Sequence, residues 1–359
     1  MRLLSSTFLR TAIVMIASAV VTSTGCNLVK SNRKTARLLK TESATQADLI
    51  KEVNRFAKVN SLRAKIDLKF EDNSFAVFGS KEVYRQAPGE IVVQRPGKIL
   101  LKVQIPLLNS DLAQMTSDGE TFRVALLQDD SGGKYKKFVK GTNGADYSRL
   151  QKNLNTAEIA SSKKAKESVS VFANLRPQHF TEAILVRPIS DANVYAQTTI
   201  FQSEEEENES VGSKSQVTSV MRGYYLLDEF TKREDGTLKI ARRFWFDRVG
   251  GIHLARQQIF DAAGEIESDI IYGKEGNLAD NAEYANLPLR VTLTRPKEKY
   301  AMTVTYQTPE LVMIGHVFPD TAFVLQNTWN LEEVDLDKKL REAGEPNPTA
   351  DNKAITISH

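Results

Sequence analysis

The chain has 359 residues, of which 41% are hydrophobic and 26% charged, with 48 Lys and Arg against 45 Asp and Glu for a net charge of +3. This is the composition of a folded protein with a sizeable core, long enough for one large domain or two ordinary ones. The near balance of charge excludes the overall cationic field that nucleic-acid binding uses, so no nucleic-acid partner is expected. A single cysteine, Cys26, excludes a disulfide framework within the chain and a multi-cysteine metal site.

At the N-terminus Arg2 and Arg10 precede an apolar run, Ala12 to Val21, that is too short to cross a bilayer as a mature helix. Residues 1–25 therefore read as a cleaved export signal, with the small residues Ser23, Thr24 and Gly25 placing the cut before Cys26. Loss of Arg2 and Arg10 leaves +3 − 2 = +1 on the mature chain. The segment resembles the lipobox of bacterial lipoproteins, with Ser23 where that pattern usually has Leu. The resemblance implies that Cys26 is the lipid attachment, acylated by palmitate or a similar chain, and that the protein reaches its membrane through this N-terminal anchor. Asn27, where retained lipoproteins tend to have Asp, implies the outer membrane, facing the periplasm. The alternative is an ordinary signal peptide cut nearby, with Cys26 left as a lone thiol in a tail. Residues 26–45 read as a flexible tether whose basic stretch, 30–40, either lies near anionic headgroups or is simply solvated.

The folded domain is expected over 46–335. Leu49, Val53, Phe56, Ala57 and Asn60 recur at helical spacing, and Ser43 with Gln46 has the form of a capping box, which predicts an amphipathic helix of about four turns. Leu62 to Phe70 then alternates apolar and charged residues, the period of a strand with one buried and one wet face. Turn sequences at Asp72-Asn73, Ala87-Pro88-Gly89, Arg95-Pro96-Gly97 and Ser117-Asp118-Gly119 separate strands at 75–85, 90–94, 98–105, 112–116 and 121–127. Spacing this short points to an antiparallel meander and away from βαβ units.

Residues 128–170 interrupt the rhythm with Gly132-Gly133, Gly141 and Gly144, and read as a long excursion with one amphipathic helix. A short helix is expected over 175–185 with Pro177 in its first turn, followed by strands at 193–201 and 216–227. The acidic run Glu204–Glu207 with Glu209 reads as the solvated tip between those two strands, because a calcium loop would need alternating ligands around a Gly. The clearest meander is 238–247, 252–260 and 265–272, turned by Arg248-Val249-Gly250-Gly251 and Asp261-Ala262-Ala263-Gly264. Strands at 287–294 and 299–305 follow, then an apolar stretch at 311–329. Residues 336–359 are expected to form a loose tail.

The lipobox-like start, the N-terminal helix, the alternating Leu62-Arg63-Ala64-Lys65-Ile66, and the hairpins around Phe246-Asp247-Arg248 and Phe260-Asp261 together resemble the LolA, LolB and LppX-like group of envelope proteins. That resemblance implies an α+β fold, mainly antiparallel β: an unclosed half-barrel meander wrapped over a few helices. It also implies an apolar cavity that holds a lipid or an acylated ligand. Strand alternation puts Ile66, Leu68 and Phe70, then Phe122, Val124 and Leu126, then Phe244 and Phe246, on apolar rows. These eight are the candidate ligand-binding residues, and plain core packing is the other reading of each. No HExxH, G-x-S-x-G or P-loop pattern occurs. No enzymatic activity, cofactor or metal is expected. The function expected is lipid or acyl binding, in transport of lipid or lipoprotein. The alternative is a structural or assembly-factor lipoprotein that binds an envelope protein partner through its β surface.

Overall fold

The computed structural model describes residues 36–72, 82–83, 86–106, 110–128, 136–145, 147, 176–208, 216–279 and 284–344. Cys26, the export signal and most of the expected excursion at 128–170 lie outside the described residues. The strands are β1 (Arg37–Leu38), β2 (Ser61–Asp72), β3 (Glu82–Val83), β4 (Ala87–Gln94), β5 (Lys98–Gln104), β6 (Asp111–Ser117), β7 (Thr121–Leu126), β8 (Lys137–Thr142), β9 (Val194–Asn208), β10 (Gln216–Lys232), β11 (Leu238–Asp247), β12 (His253–Phe260), β13 (Ile266–Gly276), β14 (Leu287–Arg295), β15 (Tyr300–Tyr306), β16 (Met313–Ile314) and β17 (Glu332–Asp335). Among the described residues three α-helices accompany them, α1 (Gln46–Ala57), α2 (Pro177–Ile184) and α3 (Leu336–Gly344).

Contacts divide the chain into two units. One comprises Ser203–Met221 with the chain up to Leu38, where β1 pairs in parallel with Val220–Met221. The other, Leu39–Gln202 with Arg222–His359, holds most of the sheet. Its antiparallel order runs β10, β11, β12, β13, β14, β15, β2, β4, β5, β6, β7, β8, and a parallel β17 completes it. At the other edge β9 pairs with β10, and among the described residues nothing pairs β17 with β9, so the sheet is open. Register breaks at Glu229/Phe230, Trp245/Phe246, Ile259/Phe260 and Val103/Gln104 insert bulges, and bulges raise the local twist that lets a long antiparallel sheet curl. The fold class expected from the sequence is the one found.

Several local expectations are corrected. The capping box is Thr45 with Asp48, not Ser43 with Gln46: Thr45 Oγ1 accepts from the Asp48 N–H, and Asp48 accepts from the Thr45 N–H at 2.9 Å. Ala87-Pro88-Gly89 is not a turn but the start of β4. Gly89 is needed there because a Cβ would stand 2.4 Å from the Lys102 carbonyl oxygen of β5, and Pro88 is tolerated at the strand's beginning. Glu204 to Glu207 lie inside β9, not at a tip. Within 128–170 the sequence reading missed β8, since Lys137-Phe138-Val139-Lys140-Gly141-Thr142 is short and charged. The expected loose tail opens with α3, which Asp337 fixes by accepting from Tyr147 Oη and, at 2.9 Å, from Thr142 Oγ1.

Candidate functional site

One face of the open sheet carries the core, and the helices cover it. Leu49, Val53 and Phe56 form the buried face of α1, and the Phe56 ring meets Tyr272 of β13 at 5.5 Å. The shorter α2 packs on β14 and on β4, β5 and β6. All eight sequence-predicted residues sit on this face in a single apolar cluster: Ile66, Leu68 and Phe70 from β2, Phe122, Val124 and Leu126 from β7, Phe244 and Phe246 from β11. None is more than 8% exposed, so each is packed on all sides.

The interior gap lies elsewhere, beneath α2. Phe180, Ala183 and Ile184 of the helix face Val291, Leu293, Met302 and Val304 of β14 and β15 across a narrow gap that is nowhere wide enough for a water molecule. The lining is wholly apolar, and none of the eight predicted residues belongs to it. Periodicity could have offered Leu293, Met302 and Val304 as inward residues, but which strands lie under α2 is set by contacts between segments far apart in sequence.

Few polar bonds hold α2 in place. His179 Nδ1 lies 2.5 Å from Tyr300 Oη, Tyr272 Oη donates to the Ala183 carbonyl at 3.3 Å, and Arg95 Nη2 donates to the Val186 carbonyl at 2.7 Å just past the helix. His179 is 1% exposed; burial, and then the nearby Arg295 and Arg176 guanidiniums, hold its imidazole neutral, well below its ordinary pKa of 6.5. Burial likewise pushes the Glu182 carboxyl and the Tyr300 hydroxyl up. Arg95, read from sequence as turn chemistry, thus also ties the end of α1 to α2, since the same Nη2 reaches the Ala57 carbonyl at 3.3 Å.

Sequence reading also missed a buried ion pair. Arg242 shares the inner face of β11 with Phe244, lies 4.8 Å from that ring, and pairs with Glu229 of β10. Glu229 further accepts from Asn193 at 2.5 Å and Tyr195 at 2.9 Å, and Arg242 donates to the Arg187 and Pro188 carbonyls at 2.8 and 3.1 Å. Burial pushes the Glu229 carboxyl up, but Arg242, Asn193 and Tyr195 outweigh it and hold it below its usual range. With every group satisfied, the cluster closes the interior at that flank. On β12, Gln257 is 1% exposed, and its Oε1 has no partner among the described residues.

A second cavity, of about 410 Å³, opens at the sheet end between the turns at Pro96-Gly97-Lys98 and Asp118-Gly119-Glu120 and the chain at Asp320 and Val324. Its charges are mixed, and among the described residues no group of three His, Cys, Asp or Glu is placed to hold a metal. No described helix is long and apolar enough to cross a membrane.

No family model matches the chain, and no curated protein matches it. Among solved structures the chain is similar to a LolA superfamily protein from Nitrosomonas europaea, at 9% identity and a TM-score of 0.37, over 79% of this chain and 99% of that one. It is also similar to a DUF1329 family protein from Desulfovibrio piger, at 11% identity and TM-score 0.36, over 77% and 95% of the two chains. A third likeness is to an outer membrane lipoprotein-sorting protein domain from Vibrio parahaemolyticus, at 8% identity and TM-score 0.35, over 77% and 94%. The resemblance drawn from the sequence thus returns among the structural matches, where it concerns the arrangement of the chain alone.

Proposed function

We propose that the protein is a non-enzymatic envelope lipoprotein, anchored by acylated Cys26, that takes an acyl chain of a lipid or of another lipoprotein between α2 and the floor of β14 and β15. The observation that carries this reading is the apolar gap under α2. A helix of eight residues over a floor of apolar side chains is an element whose displacement would open an apolar channel at the cost of the Tyr300 and Tyr272 hydroxyl bonds to it. The eight sequence-predicted residues then form the surrounding wall of the interior. On this reading Cys26 is the lipid attachment, the outer membrane facing the periplasm is the location, and 26–45 is the tether.

The full chain tests this with a dansylated fatty acid as probe. Saturable binding and a rise in melting temperature with probe concentration are expected, because a ligand that binds only the folded state stabilises it by mass action. Ile184→Glu, which places a carboxylate at the half-buried edge of the helix over the gap, is expected to weaken probe binding while the fold is retained. Absence of saturable binding to the unmodified chain overturns the reading. The tight packing of all eight predicted residues favours the second reading, a filled β structure that works through its outer surface on an envelope protein partner.

A further inference from the structure

Between β15 and β17 the chain touches the sheet only in the short β16, Met313–Ile314, paired with Leu62 and Arg63 of β2. Residues 307–331 run as a strap across one end of it, over the ends of β2, β4, β5 and β6, until β17 pairs beside β8. The strap is stapled down by hydrogen bonds, most of them to its backbone. The Gly315 N–H donates to the Ser61 carbonyl at 3.1 Å, Ser61 Oγ donates to the His316 carbonyl at 2.6 Å, the Phe318 N–H donates to Gln94 Oε1 at 2.8 Å, and the Leu325 N–H donates to Thr116 Oγ1 at 3.0 Å. Val312 and Phe323 are buried beneath it. Its outer face carries large apolar side chains among uncharged polar ones: Leu311 is 72% exposed, Met313 44%, Val317 80%, Val324 38% and Trp329 39%, and these five are the majority of the large apolar side chains exposed among the described residues.

Two features say what covers this face. The first is charge. Residues 307–331 contain no Lys or Arg and only two carboxylates, Glu310 and Asp320, the latter 2.5 Å from Lys98. The turns at the opposite end of the sheet carry Arg233-Glu234-Asp235, and Asp261 and Glu265 bound to Lys297, while at the strap's own end the charges are those of the neighbouring turns, Lys98, Asp118 and Glu120. A strap without cations that exposes Leu, Val and Met at one part and a Trp further along suits the boundary between headgroups and acyl chains. The second is where the N-terminal chain arrives. The Glu42 N–H donates to the Arg248 carbonyl at 2.8 Å, and Arg248 Nε donates back to the Glu42 carbonyl at 2.8 Å, which fixes the tether at the turn after β11. The antiparallel registers put that turn at the same end of the sheet as the start of β2 and the strap.

We infer that the strap is a bilayer-docking surface, with Leu311, Met313, Val317 and Trp329 entering the interface of the membrane to which Cys26 is attached. Docking would aim this end of the sheet at the lipid and the turns of the opposite end away from it. The inference rests on the anchored reading for its membrane but not for its contact.

The full acylated chain, reconstituted in phosphatidylcholine vesicles with bromine on the acyl chains, provides the test. The chain has two tryptophans, so Trp245→Phe isolates Trp329 and Trp329→Phe isolates Trp245. Strong bromine quenching of Trp329 and weak quenching of Trp245 are expected. Leu311→Glu with Val317→Glu should abolish the Trp329 quenching without altering the melting temperature, since both side chains are exposed. In the Cys26→Ser chain the same pair should lower residual vesicle partitioning by about tenfold or more, because burying even one such side chain is worth that factor. Equal, weak quenching of both tryptophans overturns the inference. So does a change from dimer to monomer on introducing the Glu pair, which would make the strap a protein interface. If Cys26→Ser leaves membrane attachment unchanged and no fatty acid is incorporated, the anchor is wrong while the quenching still decides the strap.

Discussion

Phe246→Ala separates a filled interior from a lipid-lined wall. Phe246 is 0% exposed in β11, on the same face as Phe244, within the main apolar cluster and away from the gap under α2. Truncating a ring packed on all sides loses its transfer energy and leaves a void that relaxes only partly, a cost of about 3–5 kcal/mol. Against a total stability of about 5–15 kcal/mol this is a large share. With a urea dependence of about 1–3 kcal/mol per molar, the midpoint should fall by at least about 1 M. Urea titration of the full chain followed by tryptophan fluorescence measures it. Ile271→Ala serves as the control: that side chain is 47% exposed on the other face of the sheet, and its loss should change stability by no more than about 0.5 kcal/mol. A cost below about 1 kcal/mol for Phe246→Ala would refute the packed-core reasoning and place the ring at an opening.

Three further outcomes are expected. His179 is neutral in the folded protein while the unfolded chain takes a proton near pH 6.5, so its stabilisation is complete above about 6.5 and is lost as pH falls below it, at up to about 1.4 kcal/mol per pH unit. Glu182, raised by burial, acts in the opposite sense nearer its ordinary 4.5, so His179→Gln should flatten the urea-midpoint profile between about pH 6.5 and 5; parallel profiles for the two proteins would exclude a neutral buried imidazole. Arg242→Met strands the Glu229 carboxylate and should cost about 3–5 kcal/mol, most of which Glu229→Leu in the same chain should restore; a double variant as unstable as the single one would contradict this. With one cysteine in the sequence and no metal cluster among the described residues, reductant and chelator should leave the melting temperature unchanged, and a drop of several degrees with chelator would reveal a bound cation.

Strict alternation made β2 and the β11–β13 meander legible from the sequence, because a period of two with one apolar face admits a single register. The same alternation correctly turned Ile66, Val124 and Phe246 inward, since a side chain's face depends only on its own strand. Elements defined by their partners were not legible. β8 and β17 are short and charged; β8 becomes a strand by pairing with β7, and β17 by pairing with β8, where Lys137 meets Glu332 and Lys140 meets Glu333. Alternation puts Arg242 on the face of Phe244 and Phe246, but its partner Glu229 and the enclosure of the pair by Asn193 and Tyr195 depend on other segments. The apolar stretch at 311–329 gave no hint of which residues point outward, because that depends on hydrogen bonds to Ser61, Gln94 and Thr116, which lie 255, 224 and 209 positions from their partners in the strap. Local periodicity therefore determined the strands and their inner faces. Only the tertiary structure decided where the interior gap lies, which charges are buried, and which apolar side chains remain exposed, since each depends on contacts between segments far apart in sequence.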